Sequence, residues 1–156
     1  MKVQIRRMAP EGVIPSYSIP GDAGLDLVAI SKRITPDFIE YGTGLAIAVP
    51  DDHVGLLFPR SSVSKQDLIL ANCVGVIDSN YRGEILIRFK RIPNPSNAIT
   101  HQALPYLTSS AAPKSYEIGE RVAQLIIMPI PYITFEEVEH LDASQRGDQG
   151  FGSTGK

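Results

Sequence analysis

The stretch Val122-Ala-Gln-Leu-Ile-Ile-Met128 is rich in β-branched and other apolar residues and is closed by Pro129 and Pro131. A short apolar run bounded by prolines is typical of a buried strand. Residues 45–49 and 85–90 also predict strands, because their large apolar side chains recur at every second position. With 12 prolines and 13 glycines separating such runs in 156 residues, the sequence predicts an all-β barrel or jelly roll of short strands.

Three segments depart from this pattern. Residues 61–70 could hold one short helix. Residues 92–115 are rich in Pro, Ser, Ala and Asn, and they predict a long surface excursion between two core strands. That excursion is either a neutral decoration or a functional insertion. We therefore predict a β-barrel core over residues 1–140 and a flexible C-terminal arm over residues 141–156.

Composition narrows the class of protein. The chain has 43% apolar residues, 21% charged residues and a formal net charge of −2, so one globular domain is expected and a basic nucleic-acid-binding surface is not. No apolar run approaches the roughly 20 residues that cross a bilayer. The N-terminus lacks the apolar block of a signal peptide. One cysteine, Cys73, excludes an internal disulfide and suits a reducing compartment, so a cytoplasmic protein is expected, in the host cytoplasm if viral.

The last eleven residues, Arg146-Gly-Asp-Gln-Gly-Phe-Gly-Ser-Thr-Gly-Lys156, have the chemistry of a lid for a nucleotide. Glycines such as Gly152 let a backbone bend tightly around a bound object. Arg146, Ser153 and Thr154 supply donors for phosphate oxygens, and Phe151 offers a face for a flat ring. The alternative is a disordered terminus. A P-loop is disfavoured, because no helix follows the G-F-G-S-T-G-K run.

The segment Val76-Ile-Asp-Ser-Asn-Tyr-Arg-Gly83 predicts a β-hairpin with Asp78 and Tyr81 at its neck. A carboxylate held on such a rigid element is placed to act as a general base. The alternative is ordinary turn chemistry, because Asp, Ser and Asn are favoured in turns without any catalytic role.

The segment Phe58-Pro-Arg-Ser-Ser-Val-Ser-Lys65 places an arginine and two hydroxyls after a predicted strand. The guanidinium of Arg60 matches phosphate geometry, and Ser61 and Ser62 add donors. The two serines could instead cap a helix, and both functions are compatible.

Two polar residues interrupt apolar strands. Asp26 lies between Leu25 and Leu27, so it requires a partner or a nearby cation. Gln124 is either a satisfied core amide or a side chain that points into a site. His53, His101 and His140 are scattered and no G-x-S-x-G motif occurs, so neither a zinc centre nor a serine hydrolase is supported.

Five of these segments, in this order, resemble the five motifs of the trimeric dUTP pyrophosphatase (dUTPase) family. The motifs are Ala-Gly-Leu-Asp-Leu27, Pro-Arg-Ser-Ser62, Gly75-Val-Ile-Asp-Ser-Asn-Tyr-Arg-Gly83, Gly119-Glu-Arg-Val-Ala-Gln-Leu-Ile126 and Arg146-Gly-x-x-Gly-Phe-Gly-Ser-Thr-Gly155. The resemblance implies a jelly-roll (β-clip) homotrimer with three active sites at subunit interfaces. In the family the third motif comes from a neighbouring subunit, and the C-terminal arm of another subunit closes the site.

The resemblance also implies a reaction, in which dUTP is hydrolysed to dUMP and diphosphate with Mg²⁺ as cofactor. Asp78 would be the base that activates water, and Gln124 would help to order water and phosphate. Tyr81 would pack beneath the deoxyribose and exclude a 2′-hydroxyl. Mg²⁺ would be held mainly by phosphates and waters, with Asp26 acting through water. The remaining substrate-binding residues would be Asn72, Gly75, Val76 and Ile77 at uracil, Arg60, Ser61 and Ser62 on the phosphate chain, Arg146, Ser153 and Thr154 on the γ-phosphate, and Phe151 and Gly152 over the base.

Three departures from the family pattern keep alternatives open. The second motif lacks the glycine that commonly follows its serine, Asn80 stands where Asp is frequent, and residues 92–115 exceed the usual span. Such elongation resembles phage-encoded members and raises the hypothesis of a regulatory protein partner that binds the excursion. The competing functions are a dCTP deaminase of the same fold and a nonenzymatic, nucleotide-gated binding protein.

Overall fold

The computed structural model describes residues 1–92 and 114–150, which form ten short strands and one 3₁₀ helix. This confirms the all-β class with one short helix. The strands are β1 Gln4–Arg7, β2 Leu25–Val28, β3 Ser31–Ile34, β4 Ile39–Gly42, β5 Leu45–Ala48, β6 His53–Pro59, β7 Leu68–Leu70, β8 Gly75–Ile77, β9 Leu86–Arg91 and β10 Arg121–Pro129, and the 3₁₀ helix is Ser61–Lys65.

The strands form two four-stranded antiparallel sheets and one small sheet. The first sheet has the order β2-β10-β6-β8, the second has the order β3-β4-β9-β7, and β1 pairs with β5. Buried side chains from both large sheets join one core. At its centre the Tyr41 ring makes edge-to-face contacts with Phe89 and Tyr116, with ring centroids 5.9 and 6.1 Å apart.

Strand β10 occupies an interior position of the first sheet and is the longest strand of the described residues. It pairs with β6 from Ala123 opposite Pro59 to Pro129 opposite His53, and with β2 on its other side. The sequence pattern of β9 is equally clear, because Ile87 and Phe89 are buried while Leu86 and Arg88 are exposed. The strands predicted from residues 45–49, 85–90 and 122–128 are therefore confirmed.

Two local predictions were wrong, and a third holds over part of its range. Residues 76–83 do not form a hairpin of paired strands, because β8 pairs with β6 in one sheet while β9 pairs with β4 and β7 in the other. The short helix predicted within residues 61–70 is confirmed, although it is a 3₁₀ helix that covers only Ser61–Lys65, and Leu68–Leu70 is a strand. Ser61 and Ser62 do not cap this helix, because its N-cap is Arg60, which makes no capping side-chain bond.

Asp67 joins the two ends of the predicted excursion, whose residues 93–113 lie outside the described residues. Its main chain accepts from Ile92 N–H at 2.9 Å and donates to the Lys114 carbonyl at 2.9 Å. Its carboxylate accepts the Lys114 N–H at 2.9 Å. Beyond β10, residues 130–150 contain no strand or helix and are exposed. Within the described ranges, no helix has the length and apolar character needed to span a bilayer. The division at residue 140 stays a prediction.

Glu40 is a buried acid, 8% exposed, on the outward face of the second sheet. Register places it between Arg33 on β3 and Arg88 on β9, with N···O distances of 2.7 and 2.6 Å. Burial by itself raises the pKa of Glu40, but the hydrogen bonds and charges of the two arginines outweigh burial and hold the pKa below its ordinary value of 4.5.

This ion cluster predicts an acid-dependent loss of stability. A depressed carboxyl pKa contributes stability that is present above the ordinary pKa of 4.5 and is lost as the pH falls through the lower value of the folded protein. The wild type should therefore lose more unfolding free energy on acidification below 4.5 than Glu40→Gln, in urea titrations at one protein concentration. Glu117→Gln is the control, because its side chain is 74% exposed in an ion pair with Lys32. Parallel pH profiles for wild type and Glu40→Gln would contradict the assignment.

Candidate functional site

A cavity of about 620 Å³ opens on the outward face of the first sheet. We call it the arginine cavity. It lies where β2 and β10 run side by side and where β6 ends. It is lined by Ser18, Ile19, Asp22, Ala23, Gly24, Asp26, Arg60, Ser61, Arg121, Gln124 and Ile126.

Asp26 forms the acidic centre of the arginine cavity. Arg60 Nε lies 2.7 Å from Oδ1 and Arg121 Nη1 lies 3.1 Å from Oδ2. The partner that the sequence required for this acid is therefore a pair of arginines. Each guanidinium has five N–H donors in a fork, so one carboxylate can orient both cations while other donors remain for an anion.

A β-bulge aims Arg121 at Asp26. The register between β10 and β2 shifts between Arg121 and Ala123, so that Arg121 lies opposite Val28 and Ala123 opposite Leu27. The extra residue lets Val122 and Ala123 both face the core, each with 0% exposure. Because Val28 and Asp26 are two positions apart on β2, Arg121 then shares the face of Asp26.

Gln124 also faces the arginine cavity, and its amide is fixed on both sides. Its Nε2 donates to the Pro59 carbonyl at 3.1 Å. A Cβ at residue 24 would lie 3.2 Å from Gln124 Cδ and closer still to Oε1, so Gly24 gives the amide its space. The Gln124 side chain is thus a hydrogen-bonded amide and also lines a cavity. The sequence offered these two roles as alternatives, and the structure shows both.

The two serines of the 3₁₀ helix point to different places. Ser61 is exposed and lines the arginine cavity. Ser62 does not line it, and its Oγ lies 3.1 Å from the hydroxyl of Tyr116. The predicted phosphate contact of the Ser62 side chain is therefore not prepared in this conformation.

A second cavity, of about 190 Å³, lies between β8 and the segment that leads into β9. We call it the Asp78 cavity. Gly75 lets β8 approach β6 closely, since a Cβ there would lie 2.9 Å from Leu57 Cβ. The lining of the Asp78 cavity includes every residue predicted at the base and sugar apart from Phe151 and Gly152, which lie outside the described residues. The lining residues are Leu57, Asn72, Gly75, Val76, Ile77, Asp78, Tyr81, Glu84, Ile85 and Leu86.

Asp78 and Tyr81 are held by one turn. Tyr81 N–H donates to the Asp78 carbonyl at 3.1 Å, and the Tyr81 hydroxyl donates to the Glu84 carbonyl at 2.9 Å. A Cβ at residue 83 would lie 2.6 Å from Tyr81 Cζ, so Gly83 lets the ring lie against the backbone. The ring remains 44% exposed. The Asp78 carboxylate is exposed and accepts no hydrogen bond from the described residues.

The two cavities share no lining residue. In the order β2-β10-β6-β8, Asp26 lies on one edge strand and Asp78 follows the other. Three strand spacings separate these edges, which is roughly 14 Å. Asp78 and the cluster of Asp26, Arg60 and Arg121 therefore lie in separate cavities of one chain.

The predicted lid is described only in part. Arg146 is exposed, and its side chain donates to the carbonyls of Gln149 and Gly150 at 3.0 and 3.2 Å. Phe151, Gly152, Ser153 and Thr154 lie outside the described residues.

Two residues of these cavities were missed by sequence reasoning. Arg121 stands inside the Gly-Glu-Arg-Val-Ala-Gln segment that was singled out for Gln124, and its charge was the available signal. Glu84 accepts the Gly44 N–H at 2.7 Å and lines the Asp78 cavity, a role that its sequence position does not indicate.

The described residues contain no group of three or more His, Cys, Asp or Glu side chains that could hold a metal ion. Asp26 is already paired with two arginines. This donor set fits a magnesium ion that is coordinated mainly by phosphates and water, because Mg²⁺ retains several waters and needs few direct protein ligands.

Comparisons with known proteins agree with these motifs. The family model described as dUTPase matches residues 11–99 and 107–155. The deoxyuridine 5′-triphosphate nucleotidohydrolase of Corynebacterium glutamicum is 40% identical, over 99% of this chain and 95% of its own length. That of Pseudomonas putida strain W619 is 36% identical, with coverage of 99% and 95%.

Solved structures show the same fold. A mutant dUTPase of Staphylococcus bacteriophage 80alpha with dUpNHpp superposes with a TM-score of 0.77 at 27% identity, covering 99% of both chains. A mutant dUTPase from phage phi11 of S. aureus, described with a structural Mg(II) ion, gives a TM-score of 0.70 at 27% identity, covering 90% of this chain and 98% of that one. The sequence motifs, the two cavities and these likenesses lead to one conclusion: this chain belongs to the dUTPase family.

Proposed function

We propose that this chain hydrolyses dUTP by attack of water on the α-phosphorus, with Asp78 as the general base. The Asp78 carboxylate takes a proton from water as the water oxygen bonds to the phosphorus. The bond from that phosphorus to the bridging oxygen breaks, and diphosphate leaves dUMP behind. The reaction limits uracil incorporation into DNA and supplies dUMP for dTMP synthesis.

The observation that carries this proposal is the state of Asp78. Asp78 lines a small cavity and is exposed, and its carboxylate accepts no hydrogen bond from the described residues. The turn around it is fixed by the bond from Tyr81 N–H to the Asp78 carbonyl and by the bond from the Tyr81 hydroxyl to the Glu84 carbonyl. A base that is positioned but not occupied is suited to bind and orient a water molecule.

We assign the Asp78 cavity to the uracil and deoxyribose. Asn72 and the main chain of Gly75, Val76 and Ile77 supply hydrogen-bonding groups to the pyrimidine edge. The Tyr81 ring, fixed by its bond to Glu84, supports the sugar and leaves no space for a 2′-hydroxyl. Discrimination against ribose therefore depends on the rigid Tyr81 ring, and discrimination between pyrimidines depends on the hydrogen-bonding groups of the main chain and Asn72.

We assign the arginine cavity to the triphosphate. Arg60 and Arg121, both oriented by Asp26, neutralise phosphate charge, Ser61 donates to a phosphate oxygen, and Gln124 helps to order the water. Magnesium supplies further charge neutralisation on the triphosphate when it is bound. Asp26 contacts this metal through water at most, because its two oxygens face arginines.

We propose that a homotrimer completes the site, with the Asp78 cavity of one copy facing the arginine cavity of another. The separation of the two cavities on one chain supports this arrangement, in which they are the half-sites of one active site. Exposed apolar side chains after β10 also support it, because a run of this kind needs cover from another surface. These side chains are Ile130, Tyr132, Ile133, Phe135, Val138 and Leu141.

Two further parts of the proposal concern the arm and partners. The arm, residues 141–156, closes over the nucleotide of another copy, with Arg146, Ser153 and Thr154 on the γ-phosphate and Phe151 and Gly152 over uracil. A regulatory protein that binds residues 92–115 is a second proposal. It is supported by likeness to the phage 80alpha dUTPases, which are described as controlling the transfer of virulence genes. Action in the cytoplasm is proposed from the single cysteine, Cys73.

Asp78→Asn tests the base. Removing the proton acceptor should lower kcat for dUTP by about 10²–10⁴-fold, while affinity for a nonhydrolysable dUTP analogue changes little. Diphosphate release with and without Mg²⁺ and analogue titration measure the two quantities. Asp37→Asn, on an exposed turn, is the control and should behave as wild type. A near-normal kcat for Asp78→Asn would refute the assignment.

A chain that ends at Gln145 tests the arm. Because residues 146–156 contribute no described core residue, the truncated protein should keep the circular dichroism spectrum and the assembly state of the full chain. Its kcat/KM for dUTP should fall by about 10²-fold or more, since the closing donors and the shield from water are lost. Full activity in the truncated protein would show that the arm has no role in catalysis.

A further inference from the structure

Tyr116 is a buried tyrosine, 2% exposed, whose hydroxyl reaches the second residue of the 3₁₀ helix. The Tyr116 hydroxyl and Ser62 Oγ are 3.1 Å apart. The ring itself is fixed, because its centroid lies 6.1 Å from that of Tyr41 and 5.8 Å from that of Phe89. The Tyr116 carbonyl accepts the Tyr41 hydroxyl at 3.0 Å. Tyr116 is therefore held in a fixed position inside the core.

The 3₁₀ helix, by contrast, has few attachments to the core. None of its residues, Ser61–Lys65, is buried. Val63 is partly buried and packs against the core. Among the described residues, the bond between Ser62 and Tyr116 is the one side-chain hydrogen bond that joins this helix to the core. A five-residue 3₁₀ helix has poor internal hydrogen-bond geometry, so external contacts decide its position.

The segment that carries Tyr116 is itself anchored. Lys32 Nζ donates to Ser115 Oγ at 3.1 Å and to Glu117 at 2.9 Å. Asp67 binds the main chain of Lys114 through both its own main chain and its carboxylate. The segment from 114 to 117 is thus fixed to β3 through Lys32 and, through Asp67, to the short connection between the 3₁₀ helix and β7.

We infer that Tyr116 is a positioning residue for triphosphate binding, which it supports by holding Ser62 and with it the helix that carries Ser61 into the arginine cavity. The inference rests on the proposed function, which assigns that cavity to the phosphates. Ser62 then acts inward, as the tether of the helix, while Ser61 acts outward. The two adjacent serines therefore have different roles, one in holding the helix and one in lining the cavity.

The test compares binding of a nonhydrolysable dUTP analogue with inhibition by deoxyuridine, which lacks every phosphate. Tyr116→Phe, Ser62→Ala and the double variant each lose the same bond. Each should weaken analogue binding by about five- to tenfold, the effect of one neutral hydrogen bond, with no additional loss in the double variant. Deoxyuridine inhibition should change less than about twofold, because its cavity is separate from the tether.

Two control variants interpret the result. Thr43→Val removes another buried hydroxyl, which donates to the Ile85 carbonyl at 2.9 Å and makes no hydrogen bond to Tyr116 or Ser62, so it should leave the ratio of analogue to deoxyuridine affinity unchanged. Arg60→Gln removes a proposed phosphate ligand and should weaken the analogue selectively. Wild-type analogue affinity in Arg60→Gln would overturn the cavity assignment, and the inference would fall with it.

Three outcomes would overturn the inference while leaving the proposed function intact. Normal analogue binding in Tyr116→Phe with a loss in Ser62→Ala would mean that Ser62 touches the phosphates itself. Equal losses in Tyr116→Phe and Thr43→Val would indicate a general weakening of the core. Parallel losses of deoxyuridine and analogue binding would place the effect outside the triphosphate.

Discussion

The pairing of β6 with β10 over seven residue pairs is the interaction on which the rest of the structure depends. Because both strands are interior in the sheet β2-β10-β6-β8, their ladder fixes both edges at once. On one side β10 places Gln124 and Arg121 beside Asp26 of β2. On the other side β6 positions β8, from which the chain enters the Asp78 turn, and β6 itself ends one residue before Arg60. One ladder therefore sets the position of both half-sites.

The same geometry keeps the half-sites of one chain apart. A rigid antiparallel sheet cannot bring its two edges together, because strand spacing is fixed by main-chain hydrogen bonds. In the mechanism that we propose, the base lies at one edge and the phosphate-binding cations lie towards the other, so that one substrate can use both only with the help of a second copy. The proposed homotrimer supplies that copy.

Much of the fold could be predicted from the sequence because its strongest signals are local. The apolar runs at residues 85–90 and 122–128 specify strands by period, and the order of five short motifs specifies the family. Pairing is not local, so turn residues at Ser79 and Asn80 predicted a hairpin where the chain passes between two sheets. The inward direction of Ser62 depends on a tyrosine 54 positions away, and the aim of Arg121 depends on a bulge against another strand. Neither leaves a pattern in neighbouring residues.

The central claim is that one active site combines Asp78 of one copy with Arg60 of another, and mixed assemblies test it directly. Asp78→Asn and Arg60→Gln chains, carrying different tags, are co-expressed in equal amounts and purified through both tags. If sites form between copies, one of the three sites in every mixed trimer that carries both tags holds both native residues, and dUTP hydrolysis should return to about a third of the wild-type rate. Mixed assemblies no more active than either parent would contradict the account, because every site would then draw both residues from a single chain.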